Sequence, residues 1–95
     1  MMTKTFVLNF LSSHKQLLKE KYDVEKIGLF GSYATDNQKE SSDIDIIVQM
    51  PSDFDKYYDL KEFLETKLEK RVDLGLEKNL RKLIENKVKN EIIYV

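Results

Sequence analysis

A chain of 95 residues with 41% hydrophobic and 11% aromatic content suits one small globular domain over residues 1–95, with no length left for a second, substrate-positioning domain. Its charges nearly cancel, 16 Lys and Arg against 17 Asp and Glu, so no net field holds a polyanion and direct nucleic-acid binding is not expected. The absence of cysteine excludes disulfides, thiol nucleophiles and thiolate zinc sites, and no apolar run reaches the length of about 18 residues that a membrane-spanning helix needs. The expectation is a soluble cytoplasmic protein.

In residues 3–22, Phe6, Val7, Phe10, Leu11, Leu17 and Leu18 recur at three- and four-residue spacing, which predicts one amphipathic helix. His14 lies on the same stripe and, alone there, reads as a core or rim residue rather than a ligand. Residues 24–30 are a short apolar run that ends at Gly31-Ser32, a strand entering a turn, and residues 33–42 read as a short helical turn and a loop. In residues 43–48, Ile44, Ile46 and Val48 share one strand face and Asp43 and Asp45 the other, with Pro51 ending the strand. Ser52 with Asp55 forms an imperfect capping box for a helix to Leu68 that turns Tyr57, Leu60, Phe63, Leu64 and Leu68 inward. Residues 71–76 alternate Val72, Leu74 and Leu76 with Asp73 and Gly75, a third strand, and Asn79 is placed to cap a last helix carrying Leu80, Leu83, Ile84 and Val88. This order describes a two-layer α/β (α+β) domain, a small sheet with helices on one face.

Carboxylates on the second face of two strands are not a requirement of folding. If the strands are neighbours, Asp43, Asp45 and Asp73 converge on the face that the helices leave open. Like charges so close raise one another's pKa and are ordinarily neutralised by a divalent cation, and oxygen donors without His or Cys select Mg²⁺ or Mn²⁺ over zinc. Upstream, Gly31-Ser32 stands where a strand gives way to a short helix: glycine lets a phosphate approach the backbone, and the N–H groups and the Ser32 hydroxyl donate to it. Singly, each feature has an ordinary reading as a turn, a solvated strand edge or a surface residue. Their combination points to a metal-bridged phosphate.

The stretch GSYATDNQKESSDID resembles the signature of the minimal nucleotidyltransferases of the DNA-polymerase-β-like superfamily, Gly-Ser, an interval of about ten residues, then Asp-x-Asp. Ile27-Gly28-Leu29-Phe30, Val72-Asp73-Leu74 and the Ile-Tyr-Val ending are similar to the same family, so the resemblance covers nearly the whole chain. It implies a nucleotidyltransferase fold with a small mixed sheet, and Gly31 and Ser32 on the phosphates of a nucleoside triphosphate, ATP in the simplest case. It further implies Asp43 and Asp45 holding two Mg²⁺ ions, for which Mn²⁺ can substitute, and Asp73 on the catalytic metal, helping to deprotonate the attacking hydroxyl. A partner is implied as well. Minimal nucleotidyltransferases are commonly the antitoxin of a HEPN-domain toxin, a helical RNase, and some neutralise it by adenylylating a toxin tyrosine.

Many relatives carry Ala-Arg-Gly or Ala-Thr-Gly after Gly-Ser-x, whereas this chain has Ala34-Thr35-Asp36. It therefore lacks an arginine there for phosphate, and Asp36 stands where a residue tolerant of positive φ is expected. Two functions follow. The first is AMP transfer from ATP to a hydroxyl of the partner, docked on the helix bearing Tyr57, Tyr58, Lys61 and Glu62 or on the Lys-rich residues 78–89. The second is a non-catalytic module that neutralises the same HEPN RNase by occlusion.

Overall fold

The computed structural model of the protein describes residues 2–79 and 92–95. The N-terminal stripe forms two helices rather than one, α1 (Lys4–Ser13) and α2 (Lys15–Tyr22), broken at His14. The cause is local. The Ser13 hydroxyl donates to the carbonyls of Asn9 at 2.6 Å and Phe10 at 3.2 Å, and His14 Nδ1 lies 2.8 Å from that same Phe10 carbonyl. Side chains thus compete for the acceptors that a continuous helix would use. Thr3 caps the start of α1 by accepting from the Phe6 N–H at 3.1 Å. Val7, Leu11 and Leu18 hold the inward line, while Phe6 and Leu17, expected in the stripe, fall at its margins and stay 53% and 40% exposed. Half-buried His14 packs its ring 4.2 Å from that of Phe10 and 6.0 Å from that of Phe63.

Three strands appear where the sequence predicts them, the first from its apolar run and the other two from alternation: β1 (Lys26–Phe30), β2 (Ile44–Gln49) and β3 (Val72–Leu76). Helix α3 (Phe54–Leu68) joins β2 to β3, and such a crossover is what a parallel pair requires. Its cap is Asp53 rather than Ser52. The Asp53 carboxylate accepts from the Lys56 N–H at 3.2 Å, whereas the Ser52 hydroxyl is engaged by the Lys78 ammonium. Residues 77–79 are already helical, so β3 passes into a helix before Asn79 can cap it. The remainder of that expected helix, with Leu80, Leu83, Ile84 and Val88, lies outside the described residues, as does most of the Lys-rich segment. The chain end supplies β4 (Ile93–Tyr94), absent from the expected elements because two residues carry no period.

Among the described residues the strands form one sheet in the order β3-β2-β1-β4, parallel between β2 and β3 and antiparallel elsewhere, the mixed sheet expected. One face carries Ile27, Leu29, Ile44, Ile46, Val48, Val72 and Leu74, none more than 5% exposed, and it joins Val7, Leu11, Leu18, Leu60, Leu64 and Leu68 of the helices in a single core. Helix α3 also closes the outer edge of β3: Glu65 accepts from the Val72 N–H at 2.9 Å, and the Tyr57 hydroxyl donates to the Leu74 carbonyl. Among the described residues no helix is long and apolar enough to cross a membrane.

Candidate active site

At the end of β1, Gly31 turns the chain with φ of +73°. One helical turn follows, in which the N–H groups of Ala34 and Thr35 donate to the Gly31 carbonyl at 3.1 and 3.3 Å and the Asn37 N–H donates to that of Ser32 at 2.9 Å. Tyr33 and Ala34 anchor this turn in the core, and Asp36 closes it in the left-handed region at φ 59°. Asp36 therefore occupies the position where the sequence departs from Gly. Its carboxylate is paired with Lys4 of α1 at 3.1 Å, which offsets the added negative charge. Within the turn Thr35 donates its hydroxyl toward the carbonyls of Gly31 and Ser32 at 3.3 and 3.4 Å and accepts from the Asn37 amide at 2.9 Å.

The sheet register builds the rest. Phe30 stands opposite Asp45, and Asp45 opposite Asp73, so the two carboxylates are cross-strand neighbours on the face away from the core. Gly31 abuts Asp45 so closely that a Cβ there would fall 2.1 Å from Asp45 Oδ2. Burial, then the charge and hydrogen bond of Asp73, then the charge of Asp43, push the Asp45 carboxyl up to about 6. Asp43 is held differently: its Oδ1 lies 3.3 Å from Nε of Arg71. The loop before it is tied by Lys70, whose ammonium donates to the carbonyls of Glu40 at 2.6 Å and Ser42 at 2.9 Å.

The convergence read from the sequence is thus uneven. Asp45 and Asp73 meet directly, Gly31 lies against Asp45 with Ser32 next in the turn, and Asp43 contributes charge from two residues away along the strand while paired to Arg71. Among the described residues no three metal-ligating side chains are already gathered around one point. The donor set nonetheless fits a divalent cation: it is all carboxylate oxygen, and burial, with the charges of Asp73 and Asp43 added, holds a proton on Asp45 well above the ordinary range. Lys70 and Arg71 were not among the candidates the sequence suggested. Their signal was the basic pair just ahead of Asp73, with Arg71 two positions before it and therefore on the same strand face.

Comparison with known proteins places the chain in a family. Residues 11–95 match the family model of the nucleotidyltransferase domain. The protein adenylyltransferase MntA of Thermococcus cleftensis is 40% identical over 98 residues, spanning 100% of this chain and 98% of its own. Among solved structures, a toxin-antitoxin with AMP-PNP superposes with a TM-score of 0.57 at 32% identity, covering 68% of this chain and 55% of the other, so this chain spans about half of that one. A mutant of the toxin-antitoxin MntA-HpeT superposes with a TM-score of 0.68 at 24% identity, covering 87% and 69%, a likeness of fold. With a Gly-Ser turn set against an Asp-x-Asp strand and a third aspartate in register beside it, the chain belongs to the nucleotidyltransferase domain family.

Proposed function

We propose that this nucleotidyltransferase is an antitoxin that transfers AMP from ATP to a tyrosine hydroxyl of a HEPN-domain toxin, with Mg²⁺ as cofactor, in the cytoplasm. The observation that carries this reading is the packing of Gly31 against Asp45, itself in register with Asp73. A nucleotide turn and two carboxylates at one point form the geometry that in-line phosphoryl transfer uses. The name of the Thermococcus cleftensis relative and the AMP-PNP in the toxin-antitoxin structure support the same activity and substrate.

In this reading Gly31 and Ser32 receive the phosphates, and Asp43, Asp45 and Asp73 hold the metal. The metal, when bound, neutralises charge on the phosphates and lowers the pKa of the attacking hydroxyl. Asp73 is the exposed member of the carboxylate pair and Asp45 the half-buried one, so Asp73 faces an acceptor arriving from solvent and takes its proton. The acceptor oxygen forms a bond to the α-phosphorus, the bond from that phosphorus to the bridging oxygen breaks, and pyrophosphate leaves.

Co-expression with the toxin partner, followed by intact mass spectrometry of that partner, tests the proposal. AMP-sized increments with the wild-type chain and none with Asp73→Asn are expected. A partner that stays unmodified yet is neutralised by both forms would overturn the enzyme reading in favour of occlusion.

A further inference from the structure

We propose that Arg71 is the cation that binds the polyphosphate of the nucleotide, a role that rests on the nucleotidyltransferase reading and adds a residue to it. The Ile44 N–H donates to the Arg71 carbonyl at 3.0 Å, which fixes this residue beside β2 at the point where Asp43 precedes it. Strand alternation then turns Arg71 to the same face as Asp73. Its Nε lies 3.3 Å from Asp43 Oδ1, yet the side chain is 82% exposed, so most of the guanidinium fork remains open to solvent.

Among the described residues, two other cations of this region are already engaged. Lys70 is bound to the Glu40 and Ser42 carbonyls and Lys4 to Asp36, and the turn after Gly31 carries Thr35-Asp36 with no basic side chain. A triphosphate entering beside three carboxylates needs positive charge, and a planar fork donates to phosphate oxygens in pairs. The Asp43 contact does not oppose this. An exposed ion pair adds little stability, so Asp43 can exchange Arg71 for a metal while the guanidinium turns to phosphate. Reaction occurs at the Asp45–Asp73 pair, where the α-phosphate must lie. Arg71 stands two residues before Asp73, on the side of Asp43, and is assigned the phosphates beyond the α-phosphate, which it shares with the turn at Gly31-Ser32.

Calorimetry of the full chain with Mg²⁺ and either AMP-PNP or AMP tests the assignment. Arg71→Gln is expected to weaken AMP-PNP roughly tenfold, the effect of losing one charge-assisted contact, while changing AMP less than about twofold. Arg71→Lys, which keeps the charge but loses the fork, is expected to fall between, and it carries the test if Arg71→Gln fails to fold. Equal affinities of wild type and variants for AMP-PNP, or an equal loss for AMP and AMP-PNP, would overturn the role of Arg71 and leave the nucleotidyltransferase reading standing. A wild-type chain that binds no AMP-PNP would overturn both.

Discussion

A single methyl group at position 31 meets two obstacles. The backbone there has φ of +73°, which disfavours any side chain by about 1–2 kcal/mol, and the new Cβ would land 2.1 Å from Asp45 Oδ2. Gly31→Ala is therefore expected to lower the unfolding free energy in urea by about 1–2 kcal/mol and, by displacing Asp45, to abolish AMP-PNP binding measured by calorimetry. A variant that kept both would show that Asp45 can move aside freely. This glycine was legible in the sequence because a strand that stops at Gly-Ser announces a turn. Arg71 was not, since a basic residue ahead of a strand is ordinary until a carboxylate is found beside it.

Among the elements, α3 shows where a local signal was read well and where it was one residue out. Its apolar spacing marked Leu60, Leu64 and Leu68 as buried, and the helix does end at Leu68. Its cap shifted from Ser52 to Asp53 because two neighbouring residues both had capping oxygens and only tertiary contacts chose between them. At its other end Glu69 adopts φ 53°, a conformation that helices usually assign to glycine. Glu69→Gly is expected to raise stability by about 0.5–1 kcal/mol, reduced in part by the added freedom of the unfolded chain, as a higher urea midpoint at unchanged slope. An unchanged or lower midpoint would mean that Glu69 contributes something at this cap that its backbone does not show. The N-terminal stripe misled in the opposite way: its periodicity runs through His14 without interruption, but Ser13 and His14 break the helix with side-chain hydrogen bonds that no hydrophobic pattern records.

At the scale of the whole molecule, the Asp45–Asp73 contact couples metal, pH and stability. The carboxyl of Asp45 sits at about 6 in the folded chain against 3.8 ordinarily, chiefly through burial, so the folded state binds the proton more tightly than the unfolded state. The sign follows: this group favours the folded chain at pH below about 4, and the contribution is lost as pH rises through about 6. Without metal, wild type is expected to lose about 1 kcal/mol between pH 4 and 7 relative to Asp45→Asn, a figure lowered for the half-exposed setting. Asp45→Asn is then the more stable form at pH 7. Saturating Mg²⁺ should raise the melting midpoint of wild type and do little for the variant. Parallel pH profiles for the two proteins in EDTA would show that the carboxylates are not strained together.

The sequence by itself determined the phase of each strand, and with it the face on which Asp43, Asp45 and Asp73 stand, because a strand's alternation is a property of the local chain. It also determined the turn at Gly31 and the amphipathic line of α3, which depend on residues a few positions apart. Only the tertiary structure decided that β3 lies parallel to β2 in the register that sets Asp73 against Asp45. It decided too that Arg71 meets Asp43, and that the short β4 completes the sheet beside β1. These are contacts between residues far apart in the chain, fixed by packing α3 and the strands around one core, and no local period contains them.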